Sequence, residues 1–293
     1  MVGQITETEW QMLLRRIEEG RCTPFLGAGA SYPALSLGSQ IARRWAEQYD
    51  YPFDDRDNLV TVSQFVAINY DSVWPKEVLQ EEIARCEAPD FREPDEPHGV
   101  LAELPLPVFM TTNYDDFMYG AFRMLRNPKD ARRAVCRWNS AMLPDTSGLE
   151  TGFQPTVAQP LIFHLHGHTD PASLVLTEND YLDFLAEMAR NPDIIPPVIR
   201  QRLQNTAFLF LGYRLGDWNF RVLFQTLRTA HPPMSVLVMP LPKGDRTEAQ
   251  RTYLEHYYAA MNLKIYWGTA RQFCAELNQR REAAFNGAEP QGR

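Results

Sequence analysis

Thr23-Pro24-Phe25-Leu26 runs directly into Gly27-Ala28-Gly29-Ala30-Ser31. The first four residues read as a short strand, and the rest as a glycine-rich turn that opens a helix. Such a turn brings backbone N–H groups close to a phosphate, and a helix starting there favours negative charge. The match to the dinucleotide fingerprint is partial. A third glycine is wanted where Tyr32 stands, and Asp50 ends a helical stretch rather than following a second strand. Taken alone, the turn fits either a phosphate cradle or a tight corner without a ligand.

Upstream of it, Trp10, Leu13, Leu14 and Ile17 form one apolar stripe at helical spacing. Thr6 with Glu9 fits a capping box, and Gly20 a helix stop. Downstream, the texture from about 32 to 104 is helical. Leu37, Ile41 and Trp45 share a stripe, as do Leu59, Val62 and Val66, and then Val78, Leu79 and Ile83. Past Pro105 the pattern becomes short apolar runs, at 107–111, 161–163, 174–176, 207–211, 235–239 and 263–267. Helical stretches lie near 114–126, 178–189, 194–204, 217–229, 247–259 and 269–284. Short apolar strands separated by helices predict an α/β fold, a doubly wound parallel sheet covered on both faces. The helical block is then a module inserted after the first strand. The expected organisation is one domain over 1–285 with that insert, and a frayed tail at 286–293.

Composition narrows the function classes. The chain has 293 residues, 44% hydrophobic and 23% charged, as in a globular protein. Its 29 basic and 37 acidic residues leave a net charge of −8, which argues against direct nucleic-acid binding. No apolar run approaches the length of a membrane span, and the first 20 residues lack a signal-peptide core. Cys22, Cys86, Cys136 and Cys274 contain no CxxC pair, so neither a zinc ribbon nor a redox motif is expected. A cytoplasmic protein is the expectation.

Three further segments carry candidate chemistry. The run Thr111-Thr112-Asn113-Tyr114-Asp115 ends a strand, where an open α/β sheet lines its ligand crevice. Asn113 is the better ligand candidate. Asp115 either orients the site or caps the next helix. His164, His166 and His168 alternate along another strand end. They permit a metal triad, or one functional histidine where Gly167 turns the chain. The turn and the want of an obvious carboxylate partner favour the second, so no metal is expected. Last, Gly212 closes an apolar strand and Asp217 begins a helix; Gly212 offers another close backbone approach, and Asp217 binds a ligand or acts as a cap.

GAGAS, TTNYD, HLHG and LGYRLGD, in that order between Phe25 and Asp217, resemble the sirtuins. The resemblance implies a Rossmann-like NAD-binding fold. Deacetylase-type sirtuins add two CxxC pairs and a GIPDFR-like stretch, and this chain has neither. It is more similar to the sirtuin-like NAD hydrolases of bacterial antiphage defence, such as Thoeris-, Argonaute- and HerA-associated effectors. That resemblance implies NAD+ as substrate, with Asn113 and His166 carrying the reaction and Asp115 assisting. It also implies cofactor contacts from Gly27, Ala28, Gly29, Ser31, Thr112, Gly212 and Asp217. A homo-oligomer and an activating partner, a HerA-type ATPase or an Argonaute-like protein, are further expectations, since no sensor domain is recognisable here. The rival readings are an NAD-dependent deacylase or ADP-ribosyltransferase, and a nucleotide-sensing module without turnover.

Overall fold

The structure, a computed structural model, describes residues 5–139, 142, 149, 152–213, 233–242 and 247–286. Among them, seven strands form one parallel sheet: β1 (Cys22–Leu26), β2 (Val108–Thr111), β3 (Arg132–Val135), β4 (Leu161–His164), β5 (Ala207–Leu211), β6 (Ser235–Met239) and β7 (Leu263–Trp267). Their spatial order is β3-β4-β2-β1-β5-β6-β7. The chain builds from β1 toward one edge, then crosses back to lay β5 on the other side of β1. That reversal puts the switch point at β1, where an open α/β sheet forms its ligand crevice.

Alternation along each strand explains why both faces are covered. Phe25, Val108, Met110, Leu161, Phe163, Phe208 and Phe210 join one core. Their neighbours Leu26, Phe109, Ile162, Leu209 and Leu211 join the other. The first core packs against α8 (Glu178–Arg190), α9 (Pro197–Leu203) and α10 (Thr247–Ala259) through Phe184, Ile199 and Tyr258. The second packs against α1 (Glu7–Glu18), α6 (Pro97–Glu103), α7 (Phe117–Met124) and α11 (Ala270–Asn286) through Leu13, Leu101, Phe122 and Phe273. The Thr6–Glu9 capping box starts α1, and Gly20 leaves it with φ +66°.

After the short α2 (Ala28–Ser31), helices α3 (Gly38–Gln48), α4 (Leu59–Asn69) and α5 (Trp74–Ala84) gather around a separate cluster of Ile41, Trp45, Val62 and Leu79. The fourth helix of the 32–104 stretch, α6, packs on the sheet instead. Two strand expectations change. Strand β3 was hidden because its Arg132 and Arg133 are exposed at the sheet edge. Conversely, 174–176 is not a strand. It is a buried connector: Val175 enters the sheet core, Leu176 enters the helical cluster, and Ser63 Oγ donates to the Leu176 carbonyl. No helix among the described residues is long and apolar enough to cross a membrane. All four cysteines are free, and burial pushes the Cys22 thiol up to about 12. The expected helix at 217–229, with Asp217, and residues 287–293 of the expected tail lie outside the described residues.

Candidate active site

The carboxyl ends of β1, β2, β4 and β5 converge on a cavity of about 840 Å³. Gly27, Ala28, Ser31, Thr112, Asn113, Asp115, His166 and Gly212 line it. Gly29 does not. Its N–H donates to the Gly212 carbonyl at 3.0 Å, and a Cβ on it would sit 2.8 Å from Gly212 Cα. It supports the turn from beneath. Gly27 N–H is likewise engaged, donating to Leu211 O at 2.8 Å. Gly212 itself has φ +82°, and a Cβ there would meet Ala30 N at 2.3 Å. Only glycine fits where the β1 and β5 turns touch.

Asn113 sits in the five residues between β2 and α7 and ties that loop to the glycine turn. Its Nδ2 donates to Gly27 O at 3.1 Å and to Ser31 Oγ at 3.0 Å. Its backbone N–H donates to Thr111 Oγ1 at 2.9 Å. The amide hydrogens are thus used in bracing, which leaves Oδ1 to accept from a ligand. Asp115 does both things considered for it. Its Oδ1 accepts from Phe117 N at 3.0 Å, starting α7, while Oδ2 accepts from the Ser31 hydroxyl at 2.8 Å. This capping delays α7 to residue 117, so 112–116 stay out of the helix and reach the cavity. Ser31 is consequently a brace between Asn113 and Asp115.

Two residues absent from the sequence reading complete this network. Buried Glu96 accepts from Gly99 N at 2.6 Å, capping α6, and from His98 Nδ1 at 2.8 Å. His98 Nε2 then lies 3.5 Å from Ser31 Oγ. A lone histidine in Asp-Glu-Pro-His gave no periodic signal. The Glu-x-x-Gly capping pattern ahead of an apolar helix was the readable hint.

His166 reaches the cavity because Gly167, at φ +92°, turns the chain; a Cβ there would lie 2.2 Å from Ser173 O. The imidazole packs edge-on against Tyr181 and Phe184, with centroids 5.3 and 5.2 Å away. Burial in this apolar setting lowers its pKa to about 3. The ring is therefore neutral at physiological pH and holds a free lone pair. His164 is also lowered to about 3, by burial and then by the neighbouring His168. It donates Nδ1–H to Asn113 O at 3.2 Å, away from the cavity lining. The three histidines thus do not converge on one point.

Opposite the strand ends, the cavity wall is mixed, with Ser36, Ser39, Asp57, Asn58 and Thr61 beside its apolar residues. Leu35, Leu37, Ile41, Leu79 and Ile83 come from the helical module and its approach. Tyr213 lines the floor, its hydroxyl 3.2 Å from Thr112 Oγ1 and donating to Leu26 O at 3.1 Å. The arrangement offers an acceptor amide, a neutral imidazole and a nearby carboxylate at the edge of one cavity. That set can orient hydroxyls and stabilise a developing cation.

A SIR2-like domain profile matches residues 107–264, so the glycine turn at 27–31 precedes the matched stretch. The NAD(+) hydrolase ThsA of Acinetobacter baumannii (strain 532279) is 24% identical over 219 residues, 74% of this chain and 41% of the relative. That of Enterococcus faecium is 25% identical over 221 residues, 72% and 41%. The Bacillus cereus (strain MSX-D12) protein of the same name is 21% identical over 224 residues, 74% and 42%. The chain spans about two-fifths of the length of these curated relatives. Since the matched profile covers more than half of the sequence and includes the ends of β2, β4 and β5, the chain belongs to the SIR2-like domain family.

Proposed function

We propose that the cavity takes NAD+ and that the chain hydrolyses its nicotinamide–ribose bond, releasing nicotinamide and ADP-ribose. The observation that carries this reading is the shared cavity: Asn113 and His166, from different strands, both line it. The names of the curated relatives support the same substrate.

In this reading the dinucleotide crosses the strand ends, with its phosphates toward the Gly27–Ala28 turn and Gly212, and its nicotinamide riboside between Asn113 and His166. Thr112 borders the ribose. As the C1′–N1 bond breaks, the electron pair returns to the nicotinamide ring, which leaves neutral. Positive charge develops on the ribose. Asn113 Oδ1 accepts from a ribose hydroxyl or the incoming water. Neutral His166 accepts a second hydrogen bond, easing proton loss as the water oxygen bonds to C1′. The Asp115 carboxylate, fixed through Ser31, contributes negative potential toward the cation. Leu35, Leu37, Ile41, Leu79 and Ile83 on the facing wall limit the water around the reacting bond.

On the strength of the family resemblance, the same proposal extends to an antiphage effector in the cytoplasm. Such an enzyme needs restraint, since free turnover would drain the NAD+ of its own cell. Activation would come from assembly into a homo-oligomer, or with a HerA-type ATPase or an Argonaute-like protein. We likewise take 1–285 as one domain with its helical module.

The test is product identity. The full chain, alone and mixed with its neighbouring gene product, is incubated with NAD+ and an acetylated peptide, then resolved by liquid chromatography and mass spectrometry. Nicotinamide and free ADP-ribose in equal amounts are expected. Acetyl-ADP-ribose or modified protein would replace hydrolysis with acyl or ADP-ribosyl transfer. Bound but intact NAD+ under every condition would reduce the chain to a sensor.

A further inference from the structure

The turn at Gly167 that sends His166 into the cavity sends His164 and His168 elsewhere. Their rings lie 4.4 Å apart, and both are buried. Asp116 joins them. One donor-capable atom from each of Asp116, His164 and His168 lies within 4.8 Å of the other two. None of the three lines the cavity. The carboxylate partner that the sequence did not reveal is therefore present, and it serves a different pair of histidines from the triad the spacing suggested.

The hydrogen bonding around the cluster has a defined sense. Asn113 O, a carbonyl, can only accept, so His164 carries its proton on Nδ1 and a lone pair on Nε2. His168 Nε2 is buried and has no aligned hydrogen-bond partner, although Asp116 Oδ1 is 3.0 Å away. Adjacent ligand atoms of a tetrahedral zinc-type site stand roughly 3.4 Å apart, given bonds of roughly 2.0–2.1 Å. Arg133 Nη1 donates to both Asp116 oxygens, at 2.7 and 2.8 Å, and Thr169 Oγ1 lies 3.3 Å from His168 Nδ1. Thr169 can orient the His168 ring as an outer partner, whereas Arg133 holds Asp116 in a salt bridge that an ion would have to displace. The half-exposed Asp116 gives the cluster an opening to solvent.

We infer that Asp116, His164 and His168 form a binding site for a divalent transition-metal ion of the zinc class. Two imidazole nitrogens and one carboxylate oxygen suit zinc or cobalt, whereas magnesium and calcium prefer all-oxygen shells. Three protein ligands leave a fourth position for water. The position in the fold gives the site a role. Asp116 follows Asn113 by three residues, and His164 and His168 flank His166, so one ion would staple the β2–α7 loop to the loop after β4. The metal acts as a brace between the two loops, and Arg133 competes with it for Asp116. This inference is independent of the NAD+ reading, because its measurements read metal and stability rather than turnover.

The full chain, stripped with chelator, is titrated with Co2+ and with Zn2+. Bound metal is counted by plasma emission, cobalt ligation is followed in the visible spectrum, and melting is recorded for each form. The expectation is about one ion per chain, a cobalt band of tetrahedral intensity, and a higher Tm with zinc. Asp116→Asn, at the half-exposed opening, and His168→Asn, at the buried ring, should fold without metal and bind it at least tenfold more weakly. His256→Asn, on the exposed side of α10, should bind as wild type. Binding well below one ion per chain, or equal loss in all three variants, overturns the site and leaves an ordinary His168–Asp116–Arg133 ion cluster.

Discussion

The two walls of the cavity are built on different terms. On the sheet side, Asn113, Ser31 and Asp115 are each held by at least two hydrogen bonds, and the strands beneath them are buried on both faces. On the helical side, Ile41, Leu79 and Ile83 belong to or pack on a small cluster around Trp45. Phe53, Ile68 and Tyr70 of that module remain 60%, 73% and 61% exposed. In the proposed reaction, the polar groups that hold the reacting bond sit on the braced sheet-side wall. The facing wall sets apolar side chains among polar ones, and its helical module is tied down through Ser63 to Leu176 and Lys76 to Asp180. Precision and enclosure are thus assigned to separate parts of the chain.

This contrast can be broken or sharpened by substitution. The largest effect belongs to the braced wall: Asn113→Ala or His166→Ala should lower nicotinamide release by roughly a hundred- to ten-thousandfold, with the near-UV spectrum retained. Close behind it, Phe210→Ala removes a side chain from beneath the β1 and β5 turns. It should destabilise the protein by about 3–5 kcal/mol in urea melts. Next, Gly212→Ala forces a Cβ against Ala30 N in a left-handed backbone. It should cost about 1–3 kcal/mol and weaken NAD+ binding in calorimetry. A smaller and different signature is expected on the facing wall. Leu37→Ser should raise KM by roughly five- to thirtyfold, the equivalent of one to two kcal/mol, with kcat less affected. Smallest of all, Ile68→Ser on the outer side of the module should change stability by less than about 0.5 kcal/mol. A large loss there would mean that this exposed face is covered.

The legibility of the sequence follows the same division. Strands buried on both faces announce themselves as apolar runs, so β2, β4, β5 and β6 could be read directly, β1 from the glycine turn it feeds, and half-buried edge strand β7 from its Leu263, Ile265, Tyr266 and Trp267. Edge strand β3 could not, because solvent accepts its two arginines and the run contains only Ala134 and Val135. The 174–176 run misled for the opposite reason: apolar residues that plug a junction look like those of a strand. At the site, Asn113 and His166 were readable from their place at strand ends. Their supports were not. Glu96 and His98 act from a helix distant in sequence, and Ser31 turned out to brace the asparagine. Gly29 could not be distinguished from Gly27 before the contact with Gly212 was known. Asp116, beside the residue that drew attention, became visible only once the Gly167 turn had redirected His168.

The most direct measurement pairs calorimetric NAD+ binding with nicotinamide release for wild type, Asn113→Ala and His166→Ala under one set of activating conditions. Both variants should still bind the dinucleotide within several-fold of wild type yet release essentially no nicotinamide. Either variant cleaving NAD+ at the wild-type rate would contradict the roles proposed for Asn113 and His166.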